Sequence, residues 1–299
     1  MRTPLPSLFL RNVTQNWGEK GEKWLKNLPV LVQELTQQWN LDGVVPFKNL
    51  SYNFVARAIR LSDHLKVILK IGADPAEIEA EALSLKFYNG KGCVRLFSHD
   101  VQKGAFLMEE IFPGFSLKSS FPQNDEFAVS TASHVMNILH THSQRFKSFP
   151  TLEKWLEPIL EESSPIPTRD LSKARKITEN LLKTQSEKVL LHGDLHHDNL
   201  LYKNSGDWIA IDPKGVIGER AYEIATFIRN PWPDVLYYPD MRLLLSQRFI
   251  LFARLLDIDV VRLKEWSYIH CLLSAHWSTH NQQEVMQTLK YASLIKEFL

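Results

Sequence analysis

The sequence predicts an α+β fold of two unequal parts, a small antiparallel sheet carrying one helix and a larger, mostly helical remainder. Three observations carry that expectation. Short β-branched runs parted by polar turns are confined to the first third of the 299-residue chain. From Phe127 onward, apolar residues recur mostly at helical spacing. Residues 189–212 interrupt those helices with two short apolar runs that flank a polar knot. Strands gathered ahead of helices mark an α+β arrangement, not alternating βα units. The division falls near residue 111, giving lobes 1–111 and 112–299.

Within the first lobe, Trp24, Leu25, Leu28, Val30, Leu31, Leu35 and Trp39 recur at helical spacing, so residues 23–39 read as a leading helix interrupted by Pro29. Val44-Val45, residues 54–60 and residues 65–71 then read as three antiparallel strands. Asp74 stands as N-cap and Pro75 at the first position of a second helix, which runs to about Tyr88 and ends at Asn89-Gly90-Lys91-Gly92. Strands follow at 94–97 and 105–110, and Pro113-Gly114 breaks the chain. In the second lobe helices are expected at 127–142, 171–183, 221–228, 241–256, 260–278 and 285–298, with strands at 189–191 and 208–211 and a surface loop at 163–167.

Composition narrows the function classes. Thirty-five Lys and Arg against 34 Asp and Glu leave a charge near +1, so no global field favours nucleic acid or an anionic membrane, and neither is expected as a partner. Cys93 and Cys271 lie far apart and outside any Cys-x-x-Cys spacing, which argues against a disulfide framework and a thiolate zinc site and suits a reducing cytosol. The apolar stretch Leu5 to Leu10 contains Pro6 and Ser7 and is too short for a signal-peptide core. No run approaches the roughly 20 apolar residues of a membrane span. A soluble, cytoplasmic protein is expected.

The polar knot carries the chemistry. His192-Gly193-Asp194-Leu195-His196-His197-Asp198-Asn199 follows one apolar strand, and Asp212 ends another, thirteen residues after Asn199. Two carboxylates and a carboxamide at strand ends on a hairpin suit a hard cation. Phosphoryl transfer asks for a carboxylate to orient a hydroxyl and oxygen ligands to hold Mg²⁺. Asp194 fits the first task, Asn199 and Asp212 the second. A His/Asp hydrolytic metal site using His192, His196, His197 and Asp194 is the rival, and it leaves Asn199 and Asp212 without work.

The spacing His-x-Asp, then Asn five residues later, then Asp thirteen beyond resembles the catalytic loop and metal aspartate of protein kinase-like folds. More narrowly, the knot together with Ile211-Asp212-Pro213-Lys214-Gly215 and Tyr222-Glu223-Ile224-Ala225 resembles the aminoglycoside phosphotransferase group that includes streptomycin 6-kinases and hydroxyurea-resistance kinases. Asp-Pro-Lys-Gly is the more specific mark of that subgroup. The resemblance extends from Trp24-Leu25-x-x-Leu28-Pro29 to Leu273-Ser274-Ala275-x-Trp277. It implies a bilobal kinase-like fold, ATP or GTP as phosphate donor, Mg²⁺, and a small hydroxylated acceptor such as a streptomycin-like aminoglycoside.

The same resemblance implies a nucleotide side. Lys70, in Val67-Ile68-Leu69-Lys70-Ile71, stands where the family lysine reaches the phosphates. Its partner is expected to be Glu81 and not Glu79: Ile78, Ala82, Leu85 and Tyr88 form the apolar stripe of the helix, and Glu81 falls within it. The stretch 106–114 resembles the hinge whose backbone at Glu109 and Ile111 meets the adenine edge, with Met108 lining the back of the pocket. Ser51 lies in the loop expected over the phosphates. That loop, Asn49-Leu50-Ser51-Tyr52-Asn53-Phe54, has no glycine where such kinases usually carry several, and a phosphate nest there requires a positive φ at Asn49 or Asn53. The departure keeps open a second class, a nucleotide-binding protein of this fold without turnover. On the acceptor side, carboxylates and aromatic faces suit a cation. Glu219, Glu223, Asp234 and Trp277 are available, although Glu223 equally serves to brace its helix, and Trp277, His276 and His280 read as core residues sooner than as ligand residues.

Overall fold

The computed structural model describes residues 5–140, 149–161, 168–279 and 281–299. The expected loop at 163–167, the end of the helix expected at 127–142, and His280 lie outside the described residues. The chain forms two compact units, Met1–Gly114 and Phe115–Leu299.

In the first unit, β1 (Leu41–Pro46), β2 (Phe54–Arg60), β3 (Leu65–Ile71), β4 (Leu96–Asp100) and β5 (Ala105–Glu109) make one antiparallel sheet in the order β1-β2-β3-β5-β4. The period-2 side-chain alternation of strands sorts the residues by face. Phe54, Ala56 and Ala58 lie opposite Ile71, Leu69 and Val67, and these six join Ala105 and Leu107 in a buried cluster. Lys70 takes the other face, between Val55 and Phe106. α2 (Pro75–Tyr88) begins as expected, with Asp74 accepting a hydrogen bond from the Ala76 N–H, and it buries Ile78, Ala82, Leu85 and Tyr88 with Glu81 among them.

The leading helix is longer than its periodicity suggests. α1 spans Ser7–Gln38 and folds back at Gly18 (φ 51°, ψ −132°). Phe9 and Trp24 meet edge to face at 6.1 Å, whereas fifteen residues of straight helix measure about 22 Å at ~1.5 Å each. α1 is therefore a hairpin of two arms, and Phe9, Val13, Leu28 and Leu35 cover the β2–β3–β5 face. Pro6 hides the first arm in the sequence, yet it precedes the helix, where a missing N–H costs nothing.

The second unit begins within β6 (Pro113–Ser116) and is mostly helical: α3 (Asp125–Leu139), α4 (Leu152–Trp155), α5 (Glu157–Leu160), α6 (Thr168–Lys183), α7 (Arg220–Ile228), α8 (Met241–Leu256), α9 (Val260–Trp277) and α10 (Gln282–Lys296). Four short strands interrupt them: β7 (Lys188–Leu191), β8 (Leu200–Lys203), β9 (Trp208–Ala210) and β10 (Val216–Glu219). The expected strand at 208–211 forms a hairpin not with 189–191 but with β8, Leu201 opposite Ile209. β7 pairs instead with β10, Leu191 opposite Val216. β10 gives little sequence signal because it is four residues long and contains Gly218, where a Cβ would collide with Leu152. No helix among the described residues is long and apolar enough to cross a membrane.

Candidate active site

The polar knot forms from the C-terminal end of β7 and the two ends of the β8–β9 hairpin. Val189, Leu190 and Leu191 are buried and anchor the first of these. Gly193 follows at φ +80°, and a Cβ there would stand 2.9 Å from the Trp155 ring, so glycine is required twice over. Below the turn lies Glu223 of α7, wholly buried, accepting from the His192 N–H (2.5 Å) and the Gly193 N–H (2.9 Å). His140, at the end of α3, lies 3.4 Å from the same carboxylate.

His192 ties the turn to the hairpin. Its Nε2 lies 2.8 Å from the Ile211 carbonyl and its Nδ1 accepts the Asp194 N–H at 3.3 Å, the pattern of a neutral ring carrying its proton on Nε2. Burial lowers its pKa from the ordinary value, opposed by the charges of Glu223 and Asp194. The His192 carbonyl accepts from Lys214 and Gly215 N–H groups at 2.8 and 3.1 Å. Asn199 closes the frame: its Nδ2 donates to the Asp194 carbonyl at 2.9 Å, and its own carbonyl accepts the Ile211 N–H at 2.9 Å. Asp212 comes next, in the left-handed conformation (φ 60°) that aspartate tolerates better than most residues. Asp194, Asn199 and Asp212 thus share one bonded backbone frame, with Asp194 and Asp212 half-buried and Asn199 buried.

Of the histidines of the rival reading, His196 alone turns a ring nitrogen toward the carboxylates, its Nε2 lying 3.7 Å from Asp194 Oδ1. Both His192 nitrogens are engaged in the frame, and the buried His197 ring stacks on Phe227 at 4.0 Å between centroids. Burial, then the charge of Arg248, holds His197 well below the usual imidazole pKa. Among the described residues, no group of three His, Cys, Asp or Glu side chains could hold a metal ion by itself.

In the first unit, Lys70 Nζ lies 2.8 Å from Glu81 Oε1, the two residues only 3% and 8% exposed. A buried ion pair contributes little net stability, so its presence calls for another reason. Met108 and Ile111 are buried, Glu109 is half-buried and donates its N–H to the Arg95 carbonyl, and Ser51 is exposed. The positive φ anticipated at Asn49 or Asn53 does not occur: left-handed non-glycine residues in the first unit, among those described, are Asn40, His64 and Asn89.

The model of the aminoglycoside/hydroxyurea antibiotic resistance kinase family matches residues 45–282. The chain belongs to that family. A streptomycin 6-kinase of Streptomyces glaucescens is 25% identical, over 91% of this chain and 90% of the relative. A hydroxyurea phosphotransferase of Kitasatospora aureofaciens is 24% identical, over 88% of this chain and 77% of its own. A choline kinase from Streptococcus pneumoniae shares the fold alone: 12% identity, TM-score 0.63, 90% of this chain and 98% of that one. The protein is a small-molecule phosphotransferase with a protein kinase-like fold, as the polar knot implied.

For this kinase the acceptor-side carboxylates need correction. Glu219 is wholly buried and accepts from Arg262 at 2.5 Å and from the Trp266 indole N–H, so it is spent on the fold. Glu223 is spent on the turn; burial alone would raise its pKa, but the bonds from His140 and Gly193 outweigh that and hold it below the usual range. Asp234 pairs with Lys118 at 3.0 Å. Trp277, by contrast, is 46% exposed and is not a core residue. It packs edge to face on Trp155 at 5.5 Å, and the two rings line a cleft of about 450 Å³ together with Lys154, Glu157, Glu161 and His276. Sequence reasoning missed Trp155, Glu157 and Glu161. The signal was Trp155-Leu156-Glu157-Pro158, an aromatic beside a carboxylate in a stretch too short to show periodicity.

Proposed function

We propose that this kinase moves the γ-phosphate of ATP or GTP onto a hydroxyl of a small cationic acceptor of the streptomycin type, with Asp194 as the catalytic carboxylate. The observation that carries the reading is the shared frame of Asp194, Asn199 and Asp212, in which His192 and Glu223 hold every turn by backbone hydrogen bonds. Asp194 orients the acceptor hydroxyl and takes its proton. The hydroxyl oxygen bonds to the γ-phosphorus as the bond from that phosphorus to the bridging oxygen breaks, and the nucleoside diphosphate leaves with the bridging electrons.

The donor set of the frame suits Mg²⁺. Asn199 turns its Nδ2 to the Asp194 carbonyl, which leaves Oδ1 as its oxygen ligand, and Asp212 adds a carboxylate. One amide and one carboxylate fit an ion that keeps waters and phosphate oxygens in its remaining positions. Bound there, Mg²⁺ would offset the phosphate charge that builds up during transfer. In the nucleotide role proposed for residues 1–111, Lys70 steadied by Glu81 holds phosphate oxygens, Ser51 lies in the covering loop, and Met108, Glu109 and Ile111 form the base edge. In residues 112–299, Trp277 and Trp155 with Glu157 and Glu161 offer π-faces and carboxylates to a cationic acceptor. Trp155 also packs on Gly193, one residue from Asp194.

The test is ADP release measured over aminoglycosides, aminocyclitols, hydroxyurea and simple sugars, with Asp194→Asn as control. Turnover with a cationic aminocyclitol that Asp194→Asn abolishes, nucleotide binding being kept, is the expected result. Failure of every acceptor would remove the streptomycin-type reading, and full activity in Asp194→Asn would remove its catalytic role.

A further inference from the structure

The loop at residues 49–53 lacks both of the devices that usually shape a phosphate-covering turn: it has no glycine and, as described above, no left-handed residue. Something else fixes it. Leu50 is 3% exposed and belongs to the same buried cluster as Phe9 and Val13 of the folded-back first arm of α1. Next to Val13 on that arm, Asn12 Nδ2 donates to the Ser51 carbonyl at 3.1 Å. At the loop's far end, the Asn53 side-chain oxygen lies against Gly72, 2.8 Å from where a Cβ would stand, next to Ile78 of α2. Ser51 and Tyr52, between these anchors, remain open to solvent. The arm reaches the loop only because α1 reverses at Gly18 and because Gly21 admits close approach; a Cβ there would stand 2.5 Å from the Val13 carbonyl.

We propose that the first arm of α1 is a latch that presets the covering loop for the nucleotide phosphates, with Asn12 as a positioning residue acting through the Ser51 backbone. This rests on the nucleotide role proposed for the first unit. A preset loop costs less ordering on binding, so loosening it weakens nucleotide affinity and leaves the chemical step, which belongs to the Asp194 frame, largely unchanged.

In the full-length kinase, Asn12→Ala should raise KM for the nucleotide about threefold to tenfold, the effect of one lost hydrogen bond, with kcat at saturation within about twofold. Amide hydrogen exchange over residues 50–54 should quicken while that of β3 does not. Asn12→Asp keeps the side chain's size but turns an acceptor toward the Ser51 carbonyl, and should raise KM further. A fall in melting temperature with no change in KM and no faster exchange would mean a merely structural contact and would overturn the latch. Absence of nucleotide binding in the unmodified protein would overturn the nucleotide role and the latch together, so the two failures are distinguishable.

Discussion

Replacing Glu223 by glutamine changes one oxygen to an amino group inside a site where both oxygens are accepting. Oε2 takes the His192 N–H and Oε1 the Gly193 N–H, so whichever way the amide turns, one buried backbone donor meets an NH₂ group. The variant loses a charge-assisted bond, about 1.5–3 kcal/mol, and leaves a buried donor unmatched, about 1–3 kcal/mol more. A total destabilisation of about 3–5 kcal/mol is expected, within the ~5–15 kcal/mol that folded domains hold in reserve. The protein should therefore fold at 25 °C, but with the turn between β7 and Asp194 displaced. Because small misplacements of catalytic groups are expensive, kcat should fall by about a hundredfold with little change in KM for the nucleotide. Urea unfolding gives the first number and ADP release the second. A destabilisation under about 1 kcal/mol would refute the view that Glu223 carries the turn, since a single neutral hydrogen bond is worth that much. Wild-type kcat in a destabilised variant would refute the link from the turn to Asp194.

Two further outcomes are expected. Asp212→Asn retains a residue suited to φ 60° and should unfold within about 0.5 kcal/mol of the parent, yet lose at least about a hundredfold in ADP release, whereas Asp212→Ala should unfold about 1 kcal/mol earlier as well; an Asn variant keeping a tenth of the activity would remove Asp212 from the metal role. Acid should destabilise the fold well before the carboxylates titrate. Burial, then the Arg229 charge, pushes His270 down to about 3 from its ordinary 6.5, so its contribution is complete above 6.5 and is lost as pH falls toward 3. That amounts to about 2 kcal/mol by pH 5 at ~1.4 kcal/mol per unit, with His192 and His197 acting in the same direction. Urea midpoints at pH 7.5, 6 and 5 measure it, and a His270→Gln variant with an undiminished slope would contradict the assignment.

Much of this was legible because the relevant signals are local. Strand period and an N-cap followed by proline identified β2, β3 and α2, and the apolar stripe singled out Glu81, while Lys70 as its partner and the pairing of Asp194 with Asn199 came from the resemblance to the kinase group. What escaped depends on pairing between distant segments. The first arm of α1 has too few turns for a clear stripe and reveals itself only where Phe9 meets Trp24. β10 is defined by β7, and the one-turn helices α4 and α5 by the residues they cover. Burial is the other quantity that pattern does not supply. Glu219 stood as a candidate ligand residue and Trp277 as a core residue, and the structure sends them the opposite ways, Glu219 inside against Arg262 and Trp277 into an open cleft.

That sorting bears on where acceptor choice resides. Glu219 and Glu223 are committed to holding helices and turns, and changing either leaves buried N–H donors, the Trp266 indole in one case and the His192 and Gly193 backbone in the other, without their acceptor. Glu157 and Glu161 are exposed, sit on or beside a one-turn helix, and can be exchanged with small effect on stability. In the proposed role a frame that tolerates little change therefore lies beside a rim that tolerates more. Selection for a new acceptor in this scaffold should accumulate changes at residues 154–161 and 276–277 before it touches Glu219, Glu223 or His192.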